Sequence, residues 1–174
     1  MKRFLILFVT GVLLLTVQTT LLASYPIQKI RPDLVLIFIL YLGFSFSTLS
    51  GGILAFVMGY LMDLFSGNVL GLYTFTRPLI FFSAQLFRNR FYWEGISFQC
   101  LFVFIFTVLE GFLILALLSG LNPGPLHNLY PWRLTSLFLQ SVCTALVTPL
   151  FFALFNKGVA SLLQRYGFEM KGQG

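Results

Sequence analysis

Three ionisable residues, Asp63, Arg77 and Glu110, stand inside long apolar runs. A charge in hydrocarbon is expensive, so such residues face protein or a water-filled space and mark packing or function. Asp63 and Arg77 both belong to GYLMDLFSGNVLGLYTFTRP, Gly59 to Pro78. At a rise of about 1.5 Å per residue, a helix starting at Gly51 places Asp63 about 18 Å along its axis, and Glu110 falls roughly 20 Å into a helix starting near Ser97. Arg77 enters the intervening helix from the opposite side, so all three are expected at one depth, as an intramembrane polar layer in which Arg77 pairs with Asp63, with Glu110 or with both. At about 100° per residue, Gly52, Gly59 and Asp63 share one stripe. Small residues let another backbone approach, which makes this stripe a helix-packing or partner seam; the competing reading has Asp63 capping the adjacent SGN turn. Gln99, Val103 and Glu110 share a face of their own helix. Pro78 removes a backbone donor and disfavours helix at Arg77, which predicts a kink or break there, and Pro149 predicts the same further on.

No set of residues has the spacing of an enzyme. An intramembrane aspartyl protease needs two close aspartates, whereas Asp33 is expected in a loop and Asp63 in a helix. GxSxG, HExxH and Walker-type glycine patterns are missing from the sequence. His127, the single histidine, lies in the loop-like stretch NPGPLHNLYP, where a solvated residue is the simpler reading. Cys100 and Cys143 sit in apolar runs without CxxC or metal-ligand spacing and read as packing residues. We therefore expect no catalytic residue, no cofactor and no metal.

The elements that must hold the three charges are membrane helices. Of the 174 residues, 58% are hydrophobic and only 9% charged, and the mean hydropathy is +0.92; soluble domains do not reach these values. At about 20 residues per span the length admits roughly five or six crossings and no separate soluble domain. Six apolar runs can be drawn, at residues 4–24, 34–49, 51–65, 69–87, 97–119 and 134–156, with 157–174 as a tail. The expected fold is an all-α bundle of about six transmembrane helices forming a single domain. The first run is too long for a signal peptide and reads as an uncleaved span. With the N-terminus in the cytoplasm, Lys2, Arg3, Arg88, Arg90, Lys157, Arg165 and Lys171 fall inside and only Lys29, Arg31 and Arg133 outside. This bias places both termini in the cytoplasm. Tyr25, Tyr92, Trp93, Tyr130 and Trp132 fall at span ends, where aromatic belts form. The net charge of +6 is scattered near span ends rather than gathered in a patch, so it signals topology and not nucleic-acid binding. Val159, Leu162, Leu163 and Tyr166 recur at helical spacing in the tail, as in a helix lying along the inner leaflet, and the competing reading is a frayed basic tail.

Three stretches, IRPDLVLIFILYLGF, GGILAFVMGYLMDLFSGNVLGLY and QLFRN, together resemble the MreD family of bacterial rod-shape-determining membrane proteins. The resemblance rests on Arg31, Pro32 and Asp33, on Gly52, Gly59, Asp63, Leu64, Ser66 and Gly67, and on Leu70 and Gly71. It implies a non-enzymatic component of the cell-elongation machinery in the bacterial cytoplasmic (inner) membrane. Rod shape and lateral peptidoglycan synthesis would be supported through MreC, with the MreB filament and the lateral-wall synthase complex as further partners and the lipid bilayer as solvent. It also implies a fold similar to the substrate-binding subunits of energy-coupling-factor transporters, so the alternative function is a transporter-type subunit binding a small solute. A scaffold turns its small-residue stripe toward a neighbouring helix; a transporter gathers polar residues round a closed central cavity. Beyond Asp63, Arg77, Gln85, Gln99, Glu110 and Gln140 the spans offer mainly hydroxyls, which favours the scaffold. Arg77 stands where the family pattern has apolar residues, so a bridge from Asp63 to Arg77 is not expected to be a device common to the family.

Overall fold

In a computed structural model the described residues are 2–20, 32–66, 71–88, 95–121 and 131–165. They form six helices: α1 (Lys2–Thr20), α2 (Leu34–Ser45), α3 (Thr48–Ser66), α4 (Leu72–Phe87), α5 (Ile96–Leu121) and α6 (Pro131–Arg165). No strand occurs among the described residues.

The centre of the bundle follows from the composition of α2. LVLIFILYLGFS has no polar face, and a helix that is apolar all round is stable only when surrounded. Every residue from Leu34 to Gly43 is buried, and α2 packs against each of the other five helices. Phe38 and Tyr41 meet Phe155 edge-on or tilted, and Tyr41 also meets Phe152, which docks α6 on this post. At about 18 Å α2 is shorter than a hydrocarbon core of roughly 30 Å, but with protein on all sides its ends reach water through protein rather than lipid. The other five helices turn large apolar side chains outward, among them Leu5, Val9 and Leu13 on α1, Phe56, Tyr60 and Leu64 on α3, Leu79 and Leu86 on α4, Leu101 and Ile105 on α5, and Leu146 and Leu150 on α6. Apolar stripes facing outward from helices that also have an apolar interior are stable only in lipid. The protein is an all-α, polytopic membrane protein. Among the described residues three helices are long and apolar enough to cross on their own, through windows at Thr48–Phe65, Ile96–Gly120 and Thr135–Gly158, while Phe4–Thr20 and Leu34–Ser45 are shorter apolar helices.

Several boundaries differ from the hydropathy reading. The link between α2 and α3 is Phe46 and Ser47, earlier than expected, because the Ser47 and Ser50 hydroxyls meet at 2.6 Å in the first turn of α3 and start that helix at Thr48. α4 begins later, at Leu72, because Gly71 adopts φ +99°, a left-handed conformation that glycine takes without strain. Pro78 lies within α4 and Pro149 within α6, and neither breaks its helix. α6 continues as helix through Arg165, so the first part of the expected tail extends the last span. Tyr25, Tyr92, Trp93, Tyr130, His127 and Tyr166 lie outside the described residues.

The seam of Gly52 and Gly59 is filled within the chain, by α4. A Cβ on Gly59 would run into the backbone of Tyr73 and Thr74, whereas on Gly52 it would meet the Phe82 ring at 3.1 Å. The Phe82 ring can turn aside, but the backbone of α4 has nowhere to go. Gly59→Ala is therefore expected to cost about 1–3 kcal/mol by overpacking, and Gly52→Ala clearly less. Thermal unfolding in detergent measures both, and equal midpoints for wild type and Gly59→Ala would mean that α3 and α4 are not locked at this crossing.

Candidate functional site

The buried charges are organised around the N-terminal end of α2. Asp33 is its N-cap, with Oδ1 accepting the Leu36 amide at 2.9 Å, which satisfies one of the orphan donors of a helix start. Because α2 is the central post, its cap is buried too, at 5% exposure. The other five helices converge on the cluster around it. From α1, the Gln18 amide accepts from the Val35 N–H at 3.2 Å and reaches Asp33 Oδ1 at 3.5 Å. From α6, the Thr144 hydroxyl accepts the Asp33 backbone N–H at 3.2 Å. From α4, Arg77 Nη2 donates to Asp33 Oδ2 at 2.5 Å, and the same nitrogen meets Met62 Sδ of α3 at 3.2 Å. The remaining helix, α5, brings Glu110, whose Oε1 lies 3.2 Å from Arg77 Nε. The guanidinium is wholly buried, its carbon 5.5 Å from the centre of the Tyr73 ring.

Asp63 makes a second, separate site. Its carboxylate accepts the backbone N–H groups of Gly71, Tyr73 and Thr74 at 3.0, 2.9 and 2.9 Å, and the Thr74 hydroxyl at 2.6 Å. It thus caps α4 from a neighbouring helix, where the positive end of the helix dipole favours an anion. Of the expected layer, the structure brings Arg77 and Glu110 together and leaves Asp63 out of their ion pairs. The correction has a plain cause. The start of α4 offers Asp63 three orphan amides at hydrogen-bond distance, and Arg77, farther along α4, is already taken by Asp33 and Glu110.

The residue missed by sequence reasoning as a partner of Arg77 is Asp33, which was expected in a loop outside the membrane. Two signals pointed to it: an aspartate immediately before an apolar run is an N-cap pattern, and a run with no polar face predicts a helix buried together with its cap. Of the other motif residues, Pro32 directly precedes the cap, Leu64 points outward at 53% exposure, Ser66 ends α3 and Gly71 supplies the turn into α4. Arg31, Gly67 and Leu70 lie outside the described residues. Most buried hydroxyls are spent locally: Thr76, Thr107, Ser141, Thr144 and Thr148 each donate to a carbonyl four residues back, the usual way to satisfy such groups in apolar helices. Cys100 and Cys143 are free thiols, and no cluster of metal-ligating side chains occurs among the described residues.

A cavity of about 270 Å³ opens between α5 and α6 beside the ion cluster. Asp33, Tyr73, Thr107, Glu110 and Gln140 line its polar end.

The family model of the rod shape-determining protein MreD matches residues 1–158. The chain belongs to the MreD family. The matched segment carries every member of both sites, from Gln18 to Thr144. No curated protein and no solved structure matches the chain, so the likeness to substrate-binding subunits of energy-coupling-factor transporters rests on the sequence resemblance alone. MreD membership makes this a rod-shape-determining membrane protein, from a family that is structural rather than enzymatic.

Proposed function

We propose that this MreD-family protein is a non-enzymatic scaffold of the cell-elongation machinery in the bacterial inner membrane, with both termini in the cytoplasm. In this reading it holds MreC, and through MreC the MreB filament and the lateral-wall synthase complex, in support of lateral peptidoglycan synthesis. The observation that carries the reading is the ion cluster: Arg77, Glu110, Gln18, Thr144 and Met62 come from five different helices and Asp33 is the N-cap of the sixth, α2. Charges spent on joining helices fix one arrangement of the bundle, which suits a platform for partners. A carrier needs a central polar cavity that changes its access. Here the centre is filled by the fully buried side chains of Val35 to Leu40, which favours the scaffold over a transporter-type subunit. The glycine seam is occupied by α4, so a partner helix is expected on the outward apolar faces.

Affinity purification of the tagged full chain from its own membranes tests this. MreC is expected to co-purify in stoichiometric amount, and folded protein emerging without MreC would overturn the scaffold reading. A periplasm-only reporter fused after Gly174 is expected to be silent; activity there would reverse the orientation.

A further inference from the structure

The ion cluster does not close its own account. Asp33 and Glu110 bring two carboxylates to a single guanidinium. Asp33 is hydrogen-bonded on both oxygens, whereas Glu110 Oε1, 3.2 Å from Arg77 Nε, is not in hydrogen-bonding orientation, and Arg77 Nε and Nη1 are likewise without an acceptor among the described residues. Glu110 is only 3% exposed. Two buried carboxylates against one guanidinium leave a negative charge unbalanced among the described residues, and buried charges in native structures are paired or ligated, so a cationic donor would balance it. Glu110 also lines the cavity between α5 and α6, so a group bound there stands beside its side chain.

The walls define what that donor is. One end holds the surplus negative charge, with the side chains of Gln140, Ser136 and Thr107 as further polar groups and Tyr73 as an aromatic wall. Farther along α5 the lining is aliphatic, with Ile114, Leu115 and Leu118, and Leu137 lies against Gly111 beside Glu110. Anionic and aromatic groups together select a cation, and the aliphatic end selects a short hydrocarbon attached to it. The volume is just below the roughly 300–1,000 Å³ of drug-sized ligand pockets, which limits the occupant to a small group.

The geometry points to a binding site for an ammonium group carried on an aliphatic chain, seated with its N–H donors toward Glu110 and its chain between Ile114, Leu118 and Leu137. The same chemistry is offered by a free alkylamine and by the head group of an aminophospholipid. The site does not depend on the scaffold reading, since it requires neither MreC nor any other partner.

The test uses the full chain in detergent with n-hexylammonium, n-hexanol or hexanoate at equal concentration. A ligand that binds only the folded state raises the unfolding midpoint in a saturable way, and this is expected for hexylammonium alone. Glu110→Gln removes the surplus charge and leaves Arg77 balanced by Asp33, so the variant should fold; its affinity for hexylammonium is expected to fall at least about tenfold, the effect of losing about 1.4 kcal/mol of interaction. Leu118→Trp, away from the charges, should weaken hexylammonium binding by filling the aliphatic end, and it serves as the second variant. Native mass spectrometry separates the two sources: retention of phosphatidylethanolamine over phosphatidylglycerol, lost in Glu110→Gln, assigns the site to a lipid head group, and saturable hexylammonium binding without that lipid preference assigns it to a free amine. Equal stabilisation by hexanol or hexanoate, or undiminished hexylammonium binding by Glu110→Gln, would overturn the proposal.

Discussion

Arg77→Met is expected to destabilise the protein by about 3–5 kcal/mol, because it leaves the carboxylates of Asp33 and Glu110 buried without their counter-ion. Both are nearly inaccessible, and the guanidinium is the sole cation in ion-pair contact with either among the described residues. The loss should be read as the cost of stranded charges and not as the net worth of the bridge, so removing the charges should recover much of it. In the triple variant Arg77→Met, Glu110→Gln, Asp33→Asn the layer is neutral, the Asn at position 33 still caps α2, and the unfolding midpoint should lie well above that of Arg77→Met alone. Thermal unfolding in detergent measures the whole series. If the triple variant is no more stable than the single one, Arg77 matters through its packing and its contacts with Met62 and Tyr73, and the charge balance does not hold the helices.

Asp63→Leu should produce the second large loss, by a different route. Three backbone amides and one hydroxyl at the half-buried start of α4 lose their acceptor, and an unmet donor costs about 1–3 kcal/mol when fully buried and less where it is partly exposed. We expect a net loss of about 3 kcal/mol, and about half of that for Asp63→Asn, which keeps one acceptor oxygen. Asp63 and Arg77 form no ion pair with each other and are linked through Tyr73, whose amide Asp63 accepts and whose ring lies beside Arg77, so Asp63→Leu and Arg77→Met should be close to additive, whereas Arg77→Met and Glu110→Gln should be strongly coupled. Strong coupling between Asp63 and Arg77 would mean that the two sites form one layer after all. Hydrogen exchange offers a separate check on the cap: in Asp63→Asn the amides of Gly71, Tyr73 and Thr74 should exchange faster while those of α2 stay protected.

Much of this was already legible in the sequence. Hydropathy is a sum over neighbouring residues, so the membrane class and the six helices required nothing beyond composition and local order. Periodicity is equally local: the stripe of Gly52, Gly59 and Asp63 follows from helical geometry, and so does the conclusion that a backbone approaches it. The apolar circumference of LVLIFILYLGFS marked a helix that has to be surrounded. What local order does not carry is which face meets which. That α4, and not a partner, fills the glycine seam depends on how α3 and α4 cross. Whether Asp63 binds a guanidinium or a helix start was decided by three amides of the α4 turn standing at hydrogen-bond distance, because several good hydrogen bonds outweigh one more distant charge. Asp33 became the counter-ion of Arg77 only because α2 runs through the centre of the bundle and carries its cap inward, and the space beside Glu110 is bounded by the cap of α2 and by residues of α4, α5 and α6 that lie far apart in the chain. Depth along each helix could be computed from residue number, but the lateral position that chooses a charge's partner is set by packing between segments far apart in the chain.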